Sequence, residues 1–195
     1  MIEWVTLGDR AIRFPRPVRS SSQALLRVIR GWPGVIDVVV AAHDVGVYFE
    51  CAPQIEAEHV AGLAKLADDG VAPREITLAA VYDGPDLADV ARAAGLSEAG
   101  VVQLHSASIF VVDTIGFAPG FAYMTGLDPR LHLPRRETPR PRVPAGSIAI
   151  ADRCTAVYPF DSPGGWHLIG RVQDVRMFGA QGALLRIGDR VRFVR

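Results

Sequence analysis

Four arginines, Arg135, Arg136, Arg140 and Arg142, fall within eight positions and alternate with Pro134, Pro139 and Pro141. A guanidinium presents a planar fork of donors that suits a carboxylate or a phosphate. Proline fixes φ, so a cluster held this way has little freedom left to lose on binding. The competing reading is a solvated structural loop. Arg140 and Arg142 have the stronger claim, because they lie nearest the turn Val143-Pro144-Ala145-Gly146-Ser147. That turn is the best candidate for a backbone anion site. Gly146 lets a ligand approach the main chain, and the Gly146 and Ser147 amides can point at an oxygen. No GxSxG elbow accompanies Ser147, which argues against a serine nucleophile.

A second rigid turn, Ser162-Pro163-Gly164-Gly165-Trp166, places a large aromatic beside two glycines. Trp166 there is either the wall of a site or a plug in the core. His105 lies between a helical stretch and a strand, where a side chain can face a cleft and move protons near neutral pH. A lone histidine is also a common hydrogen-bonded structural residue. Asp113 and Asp161 are further acid/base candidates, without a readable carboxylate pair. The five histidines (His43, His59, His105, His132, His167) have no ligand spacing, so no metal site is expected.

The elements that must position these groups read as two blocks. In the first, Ile2–Leu7 and Ala11–Phe14 are short strands. Ser21 or Ser22 caps a helix through Ile29. Val35–Ala41 and Val45–Phe49 form a hairpin, and Gln54–Asp69 is a second helix stopped by Gly70. Glu75–Val81 adds a strand. The order ββαββαβ predicts a small α+β unit over residues 1–81, a two-layer sandwich for which a ferredoxin-like strand order is one option. Near Val81 the texture changes. Pro85 opens a helix ending at Gly95, and Ser97 caps another reaching about His105. Short strands with turns between them then run to the end, which predicts a barrel or sandwich over residues 82–195.

Residues 112–171 hold 8 of the 14 prolines, with glycine–aromatic pairs at Gly116-Phe117, Gly120-Phe121 and Gly165-Trp166. Their stretches GFAPGFAY, PRRETPRPRVPAGSIAIA and YPFDSPGGWHLIGR resemble the signature of the KipI family, also called allophanate hydrolase subunit 1 or the B subunit of 5-oxoprolinase. Tyr82-Asp-Gly-Pro-Asp-Leu87, His105 and Gly188-Asp189-x-Val191-x-Phe193 fit the same pattern. The resemblance implies the carboxyltransferase subdomains C and D, with a cyclophilin-like β-barrel as the second domain. Taken with the residues above, it makes Phe117, Pro119, Gly120, Phe121, Arg140, Arg142, Pro144, Gly146, Ser147, Gly164, Gly165 and Trp166 candidate substrate-binding positions, and His105 the candidate catalytic residue. Family members commonly carry a Gly-Gly-Gln-like turn where this chain has Asp152-Arg153-Cys154.

The resemblance further implies one component of an ATP-dependent 5-oxoprolinase. It would open 5-oxoproline to glutamate together with a KipA-like partner (the C component) and a LamB/YcsF-like partner (the A component), and have little activity alone. Two alternatives stand beside it: a KipI-like inhibitor of a histidine kinase, and a subunit of carboxyltransferase or allophanate-hydrolase type that acts on a urea-derived substrate. ATP is expected in the assembled complex. Neither a biotin-attachment motif nor a Walker A pattern is present in this chain. Among 195 residues, 21 basic side chains balance 21 acidic ones, so no nucleic-acid or anionic-membrane partner is expected. No export signal or membrane-length apolar run is read, and Cys51 and Cys154 are expected to be free thiols, consistent with a cytoplasmic protein.

Overall fold

The computed structural model describes residues 2–18, 20–64, 66 and 72–195. They form two units, Met1–Ala72 and Pro73–Arg195.

In the first unit, β1 (Val5–Thr6), β2 (Ala11–Pro15), β3 (Val35–Val40) and β4 (Asp44–Phe49) make an antiparallel sheet in the order β1-β2-β4-β3. Alternation sets its inner face: Ile12 and Phe14 from β2, Val38 and Val40 from β3, and Val45, Val47 and Phe49 from β4 are buried. Helices α1 (Ser22–Ile29) and α2 (Ala57–Leu63) supply Leu25, Ile29, Val60 and Leu63 to the same cluster. Each such side chain contributes about 1.5–3 kcal/mol by burial. Ser21 is the N-cap of α1, its hydroxyl accepting from the Ala24 amide at 3.2 Å. The expected stop at Gly70 lies outside the described residues.

The second unit is built on β5 (Glu75–Val81), then α3 (Leu87–Ala94) and α4 (Glu98–Ala107). These are followed by β6 (Phe110–Ile115), β7 (Ala122–Thr125), β8 (Arg140–Val143), β9 (Ser147–Ala151), β10 (Cys154–Val157) and β11 (Ser162–Gly164). Four more strands complete it: β12 (His167–Val172), β13 (Phe178–Gly179), β14 (Gly182–Ala183) and β15 (Arg190–Val194). Seven of the strands of this unit close a barrel in the order β10-β7-β6-β15-β5-β12-β9. All neighbours are antiparallel except β5 and β15, which run parallel from Glu75↔Arg190 to Ala79↔Val194. Closure leaves no barrel strand with an unpaired edge.

Here the expected division at 81/82 needs correction. It gave β5 to the first unit, but β5 is the barrel strand between β15 and β12, so the boundary falls between Ala72 and Pro73. Without β5 the first sheet cannot adopt a ferredoxin-like order.

The barrel wall is packed on both faces where the functional motifs lie. In β9 the sequence Ser-Ile-Ala-Ile-Ala is buried throughout. Ile148 and Ile150 point into the main core with Val157 and Ile169, while Ala149 and Ala151 face a second cluster with Phe121, Val143, Tyr158, Trp166 and Leu168. Small residues on one side leave room for large aromatics to lie against the sheet. The β8–β11 ribbon contributes Val143 to this outer layer.

Candidate functional site

Three stretches far apart in sequence meet at one carboxylate, that of Asp86. This residue ends the Tyr82–Asp86 turn, is the N-cap of α3, and is only 2% exposed. Asp86 Oδ1 accepts from Arg136 Nη1 at 3.0 Å and from Arg140 Nη2 at 2.6 Å. Its Oδ2 accepts from the Leu168 amide at 2.7 Å, while the Asp86 amide donates to the Leu168 carbonyl at 3.0 Å. That two-way clamp requires the chain to run hard against β12. A Cβ on Gly84 would lie 2.3 Å from the Leu168 oxygen, and one on Gly170 would lie 2.3 Å from the Val81 oxygen. Glycine is needed at both positions because the space is already filled by backbone. The proline–arginine stretch is zipped to the Gly-Gly-Trp-His stretch by Arg136 N–H to Gly165 O at 2.8 Å and His167 Nε2–H to Pro134 O at 2.9 Å. Beside this junction an open groove of about 450 Å³ is lined by Ala93, Leu133, Pro134, Arg135, Arg136, Glu137, Thr138 and His167. Within the arginine cluster the sequence favours Arg140 and Arg142 over Arg136, and it assigns Asp86 no role; the structure pairs Arg136 with Arg140 instead. The available signal was an aspartate directly after a glycine–proline turn, at the start of a helix.

Arg142 does not join this cluster. It is exposed and binds Asp161, with Nε and Nη2 at 2.8 and 2.5 Å from Oδ2. Asp161 Oδ1 also accepts from the Ala145 amide at 2.8 Å. That amide and Arg142 together hold the Asp161 carboxyl below its ordinary range. The expected anion site at the Val143–Ser147 turn is corrected by the same geometry. The Gly146 amide donates to Tyr158 O at 2.7 Å and the Ser147 amide to Pro144 O at 3.2 Å. The Ser147 hydroxyl donates to the same Pro144 carbonyl at 2.7 Å, so these donors are already taken within the fold. Pro144 is exposed.

The aromatic positions divide sharply. Phe121, Tyr158 and Trp166 are buried, with Phe121 edge-on to Tyr158 at 5.2 Å and to Trp166 at 5.7 Å between centroids. Trp166 is therefore a core residue of the outer layer. Gly164 belongs to the same packing: a Cβ there would lie 2.2 Å from the Tyr158 hydroxyl. Gly120 has φ +79° and its Cβ would meet Met177 O at 3.1 Å. Phe117 is different. It is 63% exposed, touches Phe121 edge-on at 5.2 Å, and has φ +71°, a strained conformation for a bulky residue. Pro119 beside it is exposed. Such an outlier in an exposed loop points to a contact role.

His105 lies inside the barrel rather than at a cleft, and is wholly buried. Its ring packs against Phe110 and Phe193, both at 4.8 Å. Thr155 Oγ1–H donates to Ala149 O at 3.1 Å, so its oxygen accepts from His105 Nε2–H at 2.9 Å. His105 Nδ1 then accepts from the Tyr82 hydroxyl at 2.8 Å. Burial lowers the imidazole pKa to about 3 and pushes the Tyr82 phenol up. This imidazole is neutral, satisfied at both nitrogens, and placed to hold α4 to the barrel.

At the Asp152-Arg153-Cys154 turn, Asp152 has φ +52° and its amide donates to Leu133 O at 2.6 Å. Cys154 follows as a half-buried free thiol, raised in pKa by that burial. Among the described residues, no group of three or more His, Cys, Asp and Glu side chains is placed to hold a metal. No helix among them is long and apolar enough to cross a membrane.

A closed barrel and a separate small α+β unit, with the barrel's motif loops gathered on an Asp–Arg clamp, make the architecture of a carboxyltransferase-type domain. The chain belongs to the family described as carboxyltransferase domain, subdomain C and D, whose sequence profile matches residues 5–183. It is 40% identical over 204 residues to a protein of Escherichia coli O157:H7 named as the B subunit of 5-oxoprolinase, covering 96% of this chain and 93% of that protein. It is 34% identical to the protein of the same name from Bacillus subtilis strain 168, covering 97% and 90%. The crystal structure of TTHA0988 superposes with a TM-score of 0.78 at 34% identity, covering 95% of this chain but 39% of that longer chain. The Kluyveromyces lactis urea carboxylase shares the fold, with a TM-score of 0.74 at 16% identity, over 99% of this chain and 21% of that one.

Proposed function

We propose that this chain is the B component of an ATP-dependent 5-oxoprolinase, cytoplasmic, and active with a KipA-like C component and a LamB/YcsF-like A component. The observation that carries this reading is the near full-length similarity to proteins named as the B subunit of 5-oxoprolinase, at 34–40% identity. The convergence of the motif stretches on Asp86 supports it, because a clamp of this kind fixes guanidinium groups beside a groove.

In the reaction the lactam C–N bond breaks. Water supplies hydroxyl to the carbonyl carbon and a proton to the nitrogen, giving glutamate, while a second water hydrolyses ATP. Charge builds on the carbonyl oxygen during attack and needs fixed donors to stabilise it. This chain's part is to bind and orient. His105 is buried and neutral, and in this reading it takes no part in proton transfer at the reacting atoms. The Val143–Ser147 turn has no amide free for a phosphate, and ATP in this reading is bound elsewhere in the assembly. Phe117 is the partner-facing side chain in this reading: it is exposed, and a contact that buries it takes its apolar surface out of water.

The test is co-expression of the chain with the two partner proteins, followed by an assay for glutamate release from 5-oxoproline with and without ATP. Glutamate formed only with ATP and all three proteins supports the proposal. A chain that ignores both partners, with no turnover by the mixture, rejects it.

A further inference from the structure

We infer that Arg136 and Arg140, braced by Asp86, form a carboxylate-binding site, and, resting on the function proposed above, that it holds the carboxylate of the 5-oxoproline substrate. The charge balance is the first argument. Two guanidinium groups meet a single oxygen, Asp86 Oδ1, so one positive charge has no counter-charge in the clamp. The Arg136 and Arg140 side chains are only 32% and 24% exposed, and the Asp86 side chain 3%. An uncompensated charge in such a setting is costly to leave alone, and a second anion removes that cost.

The donors make the second argument. Arg136 Nε and Arg140 Nη1 are buried and find no acceptor among the described residues. Buried polar atoms are nearly always paired, so each such donor needs an explanation. A carboxylate has two oxygens in the geometry that a guanidinium edge recognises. Both arginines are already oriented by Asp86 and by the pairing of Arg136 N–H with Gly165 O, so little ordering remains when a ligand arrives. The groove beside Arg136, about 450 Å³, is within the range of small-molecule sites.

The neighbouring charges sharpen the proposal. Arg135 lies 3.7 Å from the exposed Asp152 and is partly compensated. Glu137 also lines the groove. Its negative charge opposes an anion, so Glu137→Gln tightens carboxylate binding while Arg136→Gln weakens it. A purely structural clamp moves neither affinity.

The experiment is NMR titration of the ¹⁵N-labelled chain, following arginine Nε–H signals. The probes are L-5-oxoproline, 2-pyrrolidinone (the same lactam without the carboxylate) and glutarate (carboxylates without the lactam). The expected result is that 5-oxoproline and glutarate shift the Arg136 and Arg140 signals and 2-pyrrolidinone does not. Arg136→Gln lowers affinity about tenfold or more, the loss of a charge-assisted hydrogen bond. Arg136→Lys, which keeps the charge without the fork, falls between the two. Glutarate binding without 5-oxoproline binding supports the carboxylate site while removing the 5-oxoproline assignment. Unshifted arginine signals with both carboxylates, or equal shifts with 2-pyrrolidinone, overturn the site. An assembled enzyme carrying Arg136→Gln with an unchanged KM for 5-oxoproline overturns it too, and leaves the 5-oxoprolinase reading standing. Where Arg140→Gln fails to fold because Asp86 loses a partner, the Asp86→Asn/Arg140→Gln pair replaces it, and wild-type affinity in that pair counts against the site.

Discussion

Arg140 Nη2 and Asp86 Oδ1 meet at 2.6 Å although 54 positions separate the two residues in the chain. That bond joins the ribbon strand β8 to the start of α3, and the same carboxylate also takes Arg136 and the Leu168 amide. Asp86→Ala removes all of these acceptors at once. The expected cost is about 3 kcal/mol, the low end for breaking a buried ion pair, because both guanidinium groups keep some water. Urea denaturation followed by circular dichroism measures it. Arg142→Ala, which breaks only the exposed contact with Asp161, leaves the midpoint where it was.

His105 sets a pH dependence with a definite sign. Its folded pKa, about 3, lies below the ordinary value of 6.5, so the unfolded chain binds the proton more readily. This contribution to stability is full above pH 6.5 and is lost as pH falls from there toward 3. The slope from this one group is about 1.4 kcal/mol per pH unit. Urea midpoints between pH 7 and pH 4 show the decline. His105→Gln, which keeps a polar side chain but does not titrate, flattens it.

The aromatic residues predict opposite phenotypes. Trp166→Ala empties a packed position against Phe121 and Tyr123, and destabilises the chain by about 3–5 kcal/mol. Phe117→Ala removes an exposed side chain and leaves the melting curve of the isolated chain unchanged. In the co-expressed assembly it weakens association with the partner proteins by about 2 kcal/mol, the scale of an aromatic anchor. Light scattering on the co-purified complex separates the two effects.

Gly170→Ala puts a methyl 2.3 Å from the Val81 oxygen, where the neighbour is backbone and cannot swing away. Strands β12 and β5 must part to admit it. The expected loss is about 3 kcal/mol, at the upper end for overpacking, and a thermal melt reports it. Gly179→Ala, with open space around the new methyl, serves as the control.

Local signals in the chain were legible where local physics decides the outcome. Ser21 and Ser97 cap the helices expected of them, Gly95 ends α3 in a left-handed conformation, and β9 and β12 occupy the expected positions. Pairing across long separations was not legible. Glu75–Val81 reads as a strand in either unit, and only its parallel partner β15, more than a hundred positions on, assigns it to the barrel. Strands β8 and β11 were hidden because Pro141 and Pro163 occupy them, and proline is tolerated in a short two-stranded ribbon with a free edge. For the site, the arginine cluster was visible from its composition. Its partner Asp86 was not, since one carboxylate looks like any other until the fold buries it. The turn at Gly146 misled for a related reason: sequence shows that an amide can be exposed, not that Tyr158 O occupies it.

The proposed role of this chain, as one component of a 5-oxoproline-opening assembly, is tested by steady-state assay of the reconstituted complex. The chain and its two co-expressed partner proteins are purified together, and glutamate and ADP are measured with 5-oxoproline as substrate. The expected result is glutamate and ADP formed together by the full set, little of either by the isolated chain, and a raised KM in the Arg136→Gln complex. A full, stably assembled set that hydrolyses no 5-oxoproline in the presence of ATP contradicts it.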